Sequence, residues 1–293
     1  MDEIIKDTKN NGRLIIKEID YKTSKHMMIT NHYSKKWNSG FGKINIGIFK
    51  GDRLLGCAAF GNMMNPKSGK TICDEPNSVI ELNRMWIDDE LKKNSETVLL
   101  GASFKLLKTI NPDIKFIQSF ADGRLGCGTI YKAANFKYFG FNKSLFFEDT
   151  ETGEIFHKVP LENTKRPFGF LIKNRRYIDG KLNAFYVKTY RYIYPLYKNK
   201  YKIKLSEMPY PEYEKGIEKI KHNHSIGLLC RLFLMYKAIK DKEYADKTFS
   251  ILQQNFSSND IITELENQKE NKSYIWFITE YLNNDSNLKK LTP

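Results

Sequence analysis

The sequence predicts an α+β fold: a central mixed sheet flanked by helices, a basic aromatic β-rich extension, and an all-helical module at the C-terminal end. Three observations predict it. Up to residue 164, short β-branched or aromatic runs alternate with helical ones. Residues 165–204 then carry twelve Lys/Arg against one acid, Asp179, together with ten Phe/Tyr. Beyond Met208-Pro209-Tyr210-Pro211 the apolar spacing turns helical, and over 211–293 the charges balance at twelve of each sign. The division that follows is a core at 1–164, an extension at 165–210 and a helical module at 211–293.

The elements can be justified in order. LIIKEID from Leu14 to Asp20 reads as a strand, and 21–31 as a short helix leading into His32-Tyr33-Ser34. KWNSGFG, 36–42, has loop composition. Strands at 43–50 and 53–61 are separated by Gly51-Asp52, a two-residue hairpin signal. Residues 62–77 have no periodicity and read as a surface loop. SVIELNRMWI, 78–87, alternates as a strand, which places Glu81 and Asn83 on one face and Leu82 and Arg84 on the other. Ser95 then opens a helix that Asn111-Pro112 ends. A strand at 114–120, a glycine loop with a short helix at 120–136, and a strand at 137–148 follow. Residues 151–154 turn into a strand at 155–159. Helices are expected at 212–222, 225–240, 243–255, 258–267 and 272–283.

Composition bounds the function. With 293 residues and 41% apolar content the chain can bury a substantial core. No apolar run is long enough to span a membrane and MDEIIKDTKN is too polar for a signal peptide, so no membrane partner is expected and the expected address is the cytoplasm. Cysteines 57, 73, 127 and 230 are scattered, without CxxC or a Cys/His cluster; neither a disulfide framework nor a structural zinc site is indicated. The formal charge of +14 is concentrated in 165–204. Cations that neutralise phosphates, interleaved with aromatic faces on which bases stack, are what a nucleic-acid surface requires; Lys173, Arg175, Arg176, Lys188 and Arg191 are the candidate contacts. The alternative is a solvated basic face with its rings turned inward.

The chemistry is expected at FADGRLGCGTIYKAANF, 120–136. Asp122 stands where a strand ends, and Gly123, Gly126 and Gly128 let a backbone approach a ligand closely. Alternatively this is an ordinary turn with Asp122 capping the helix. The second candidate is the helix start at Lys92, Lys93, Ser95, Glu96 and Thr97, where unpaired N–H groups and two lysines suit an anion, or Ser95 simply caps. The literal HNH at 222–224 lacks the ββα context of that nuclease motif and is set aside.

The order strand, helix, three strands, helix, strand, helix, strand is that of a GNAT-type acyltransferase. More specifically, His32-Tyr33-Ser34, ELxR at Glu81, Leu82 and Arg84, the Ser95 helix, AD-x3-G-x3-YKAxNF from Ala121 to Phe136, and TYRYIYPL at 189–196 resemble the phage Mom family over residues 12–210. The resemblance implies a GNAT-like DNA modification enzyme that places a carbamoylmethyl group on N6 of adenine and shields phage DNA from restriction. It implies DNA and a small-molecule donor of acetyl-CoA type as partners. LKKNSE, 91–96, replaces the usual GNAT pyrophosphate loop. His32, Tyr33, Glu81, Arg84, Asp122, Tyr131 and Asn135 form the expected catalytic set. Asp122 would serve as base or hydrogen-bond acceptor, Tyr131 as general acid and His32 as base or metal ligand, the metal itself being unspecified; Asn135 would read a base edge or cap its helix. Glu81 and Arg84 share a cleft only if a bulge intervenes. The helical module offers a surface for dimerisation or a protein partner. Two other readings remain: a non-catalytic DNA-binding accessory protein, and an acyltransferase acting on another amine.

Overall fold

In this computed structural model, residues 3–162, 167–198, 200–220 and 224–282 are described. They divide into two compact units, one made of 1–142 with 188–216, the other of 143–187 with 217–293. These divisions lie at other positions than the breaks at 164 and 210 suggested by composition.

The first unit opens with a hairpin, β1 (Glu3–Thr8) and β2 (Gly12–Glu18), then α1 (Tyr21–Asn31), and the hairpin β3 (Ile44–Lys50) and β4 (Arg53–Gly61) turning at Gly51-Asp52. After α2 (Ser68–Ile72) come β5 (Val79–Ile87), α3 (Ser95–Ile110), β6 (Phe116–Asp122), α4 (Thr129–Ala133) and β7 (Lys137–Asp149), whose last residues belong to the second unit. In the second unit follow β8 (Ile155–His157), α5 (Val159–Glu162) and α6 (Pro167–Ile178). β9 (Leu182–Pro195) passes from the second unit back to the first. β10 (Ile217–Lys219), α7 (Ile226–Ala238), α8 (Lys242–Asn255), α9 (Ser258–Lys269) and α10 (Lys272–Trp276) complete the second unit, the last continuing as a π-turn to Tyr281.

The sheet of the first unit is mixed. Strands run β1-β2-β3-β4-β5-β6-β9, antiparallel except for the β5–β6 pair, which is parallel over Val79–Glu81 and Phe116–Gln118. β9 then closes on β6 antiparallel, from Phe116 opposite Pro195 to Asp122 opposite Thr189. Helices cover both faces, as the side chains of β4 show: Cys57 meets Ser24 of α1, whereas its neighbour Ala58 joins the cluster containing Leu99, Leu100 and Leu107 of α3. The second unit buries Phe147, Phe170, Leu229, Tyr236 and Leu252 together. Among its described residues no helix is long and apolar enough to cross a membrane, and the same holds for the first unit.

Three sequence expectations are corrected. Residues 62–77 are not only a surface loop: Ser68, Gly69, Ile72 and Cys73 are buried, and Ile72 and Cys73 pack with Val79 and Phe116. The helix expected at 212–222 is absent over its described part, because Ile217–Lys219 pair antiparallel with Phe185–Val187, and the pairing overrides the helix preference of Glu and Lys. Ser95 is not the cap of α3. Asn94, at φ +76°, takes that position, while Ser95 lies inside the helix with its hydroxyl donating to the Lys92 carbonyl (2.5 Å) and accepting from Asn11 Nδ2 (3.1 Å). Of the HNH triplet, residues 222 and 223 lie outside the described residues, and His224 Nδ1 pairs with the Tyr177 hydroxyl at 2.7 Å.

Candidate active site

β6 delivers Asp122 as its final residue, and the turn that follows folds back on it. Arg124 N–H and Nε both lie 3.0 Å from Oδ1, and Nη2 lies 2.5 Å from Oδ2, so the guanidinium forks the carboxylate two residues upstream. The Tyr33 hydroxyl approaches Oδ2 at 3.5 Å. Gly128 then starts α4 at φ +92°, where a Cβ would stand 2.8–2.9 Å from Ala121, Tyr192 and Tyr131. Only glycine permits that approach, and it is what lays Tyr131 back over β6. Tyr131 stacks on Tyr192 with centroids 5.0 Å apart, accepts from Ser119 Oγ at 2.9 Å, and donates to the Phe120 carbonyl at 3.3 Å. Burial raises its phenol above the ordinary value, which keeps its proton in place.

The opposite wall comes from the end of α1 and from β5. His32 is 8% exposed, and its Nδ1 accepts the Ser34 N–H at 3.1 Å, so the neutral ring carries its proton on Nε2. Burial, and then the nearby Arg84, push His32 down to about 4. Partial burial and the Asp122 carboxylate push Tyr33 up to about 12. On β5, Arg84 pairs with Ala59 and Leu82 with Phe60, so Asn83 faces no partner residue: this is the bulge that the sequence alternation required. Even so, only Arg84 of this pair lines the cleft. Glu81 is buried, accepts from Met64 N–H (3.2 Å) and Gln118 Nε2 (3.1 Å), and is raised by that burial. Arg84 is held by the carbonyls of Lys36 and Asn83 and lies 4.9 Å over Phe41.

His32, Tyr33, Arg84, Asp122 and Tyr131 therefore line one cleft of about 470 Å³, with Phe120, Thr129 and Tyr213. Glu81 stands behind its wall. Asn135 is not part of it; exposed and at φ +61°, it ends α4, the conformation in which asparagine is favoured. Among the described residues no three His, Cys, Asp or Glu side chains gather as metal ligands, so His32 has no such set around it. At α3, the hydroxyls of Ser95 and Thr97 are committed, the latter to the Asn94 carbonyl at 2.8 Å, and Glu96 adds an opposing charge. An anionic donor would be left with backbone N–H groups and the exposed Lys92 and Lys93.

The candidate nucleic-acid cations are engaged within the chain. Lys173 pairs with Glu154, Arg175 with Asp241 (2.6 Å), Arg176 with Asp149 (2.6 Å) and Glu151 (2.8 Å), and Lys188 with Glu214 (2.5 Å). Arg191 lies 5.6 Å over Phe120, and its Nε is buried without a hydrogen-bond partner. Sequence reasoning missed Arg124, Ser119 and Tyr213. Arg124 had a signal, a cation one glycine away from the acid it orients.

Methylcarbamoylase mom of Escherichia phage Mu is 35% identical over 141 residues, which are 47% of this chain and 57% of the relative, so the chain spans little more than half of that curated protein. Solved N-acetyltransferases are similar at a coarser level. One from Staphylococcus aureus Mu50 has a TM-score of 0.38 at 12% identity, covering 63% of this chain and 99% of that one. A Bacillus subtilis acetyltransferase in complex with CoA has a TM-score of 0.32 at 10% identity, covering 63% and 98%. The Mom protein family matches residues 13–212, well over half of the sequence and every residue lining the cleft but Tyr213, and the chain belongs to that family.

Proposed function

We propose that this protein transfers a carbamoylmethyl group to N6 of adenine in DNA, a modification that would hide the DNA from restriction. The observation that carries the proposal is the convergence of His32, Tyr33, Arg84, Asp122 and Tyr131, from three separated stretches of the family-matched region, on one cleft. An exocyclic amino group is a weak nucleophile because its lone pair is delocalised into the purine. As the N6–C bond forms, one N6 proton must leave and the donor's leaving group must take the electron pair of the broken bond.

In this reading Asp122, fixed by Arg124, accepts a hydrogen bond from N6–H, aims the nitrogen and takes the proton that leaves as the N6–C bond forms. Tyr131, still protonated, is the hydrogen-bond donor for the leaving group, and Ser119 sets its hydroxyl. Neutral His32 donates from Nε2 rather than acting as base. Arg84 stabilises developing negative charge. A donor of acetyl-CoA type, expected from the family resemblance, would place its anionic part at Lys92, Lys93 and the first turn of α3. Mass spectrometry of nucleosides from DNA of cells expressing the protein tests the proposal. A new adenosine species that disappears in Asp122→Ala supports it. Unmodified DNA combined with tight, salt-sensitive DNA binding would support an accessory binding role instead.

A further inference from the structure

The cleft floor is made by buried groups, but its rim carries an aromatic ring that this chemistry leaves unused. Tyr213 lines the cleft and is 73% exposed. It is not on a loose linker. Upstream, the Tyr210 hydroxyl donates to the Phe136 carbonyl, and Lys132 Nζ lies 5.3 Å over the Tyr210 ring. Downstream, Gly216 N–H donates to the Gly123 carbonyl and the Gly216 carbonyl accepts from Lys188 N–H, each at 2.7 Å. Between them, Glu214 takes the Lys188 ammonium at 2.5 Å and the Tyr190 hydroxyl at 3.1 Å.

The Tyr213 ring packs over Gly126, at φ +129°, where even a Cβ would come within 3.2 Å of its Cε2. The segment is thus tethered on both sides of the residue while much of the ring stays open. Such pre-positioning lowers the ordering cost when a flat ligand stacks on it.

Three nearby rings offer little open face for this task. Tyr190 and Tyr192 are 1% exposed, and Trp37 donates its indole N–H to the Tyr21 hydroxyl at 2.9 Å and packs edge-on against Phe41. We propose that Tyr213 is the stacking residue for the target base, taking one face of an unpaired adenine so that its amino edge reaches Asp122. The proposal rests on the DNA-modification reading. A base must leave the duplex before its amino group can be reached, and aromatic stacking holds an extruded base without reading sequence.

The test uses the full chain carrying Tyr213→Ala, Tyr213→Phe or Tyr213→Trp. One readout is the steady-state kinetics of adenine modification; the other is fluorescence quenching of 2-aminopurine placed in an adenine-rich single strand. We expect Tyr213→Ala to raise KM about tenfold or more with little change in kcat, and to lose the quenching. Phe and Trp should preserve both. If Tyr213→Ala keeps wild-type KM and quenching, the stacking role is overturned while the DNA-modification reading stands. If wild-type protein leaves DNA unmodified yet quenches through Tyr213, stacking stands and that chemistry falls.

Discussion

The cation-rich stretch 165–204 and the cleft of the first unit make opposite use of charge. Along the sequence the stretch looks like an unopposed positive surface. In the fold Lys173, Arg175, Arg176 and Lys188 meet acids from distant positions: Asp149, Glu151, Glu154, Glu214 and Asp241. Asp149 is 5% exposed and held far below the ordinary carboxylate range by the Arg176 fork. The cleft has fewer charges, but they are half-buried, and two amide oxygens near them, Asn83 Oδ1 and Gln118 Oε1, are buried without partners. Linear charge density therefore measures composition, not available charge. Function is better sought where polar groups are gathered and incompletely satisfied.

Several measurements would sharpen or break that contrast. The largest effect is expected in the cleft, where Tyr131→Phe should lower kcat/KM for DNA modification by about a hundredfold or more while leaving DNA affinity unchanged. Loss of affinity instead would make Tyr131 a binding residue. Next, Gly128→Ala should cost about 1–3 kcal/mol in chemical denaturation, since a Cβ strains φ +92° and collides with Ala121 and Tyr131.

In the cation-rich stretch, Arg176→Ala should lower the thermal midpoint, Arg176→Lys should restore only part of it, and the salt slope of DNA binding should not move. A slope lower by about one would show that Arg176 leaves its acids for a phosphate. The smallest effect is confined to acid pH. The unfolded chain protonates His32 near 6.5 while the fold resists to about 4, so the unfolded state binds more protons between these values. Stability should fall as pH drops through that window, and His32→Gln should flatten the fall. An unchanged pH dependence would remove His32 from this account.

Much of this was legible in the sequence, for local reasons. Gly51-Asp52 turns a hairpin, Asn111-Pro112 follows the last residue of α3, and Asp122 ends a strand. What was illegible depends on partners. β1 shows in EIIKDT only once β2 lies beside it, and the Asn83 bulge is defined by the register against β4, not by its own residues. The partners of Arg175 and Arg176 lie 66 and 25–27 residues away. Tyr213 sits in a proline-flanked stretch whose tethering through Gly123 and Lys188 no local pattern marks.

The contrast between the two regions can be measured directly by photocrosslinking the protein to an oligonucleotide containing 8-azidoadenine and mapping the adducts by peptide sequencing. Adducts at Tyr33, within 120–131 or at Tyr213 are the predicted result. Adducts confined to 165–187, with none at the cleft, would contradict the assignment of the cleft as the adenine site.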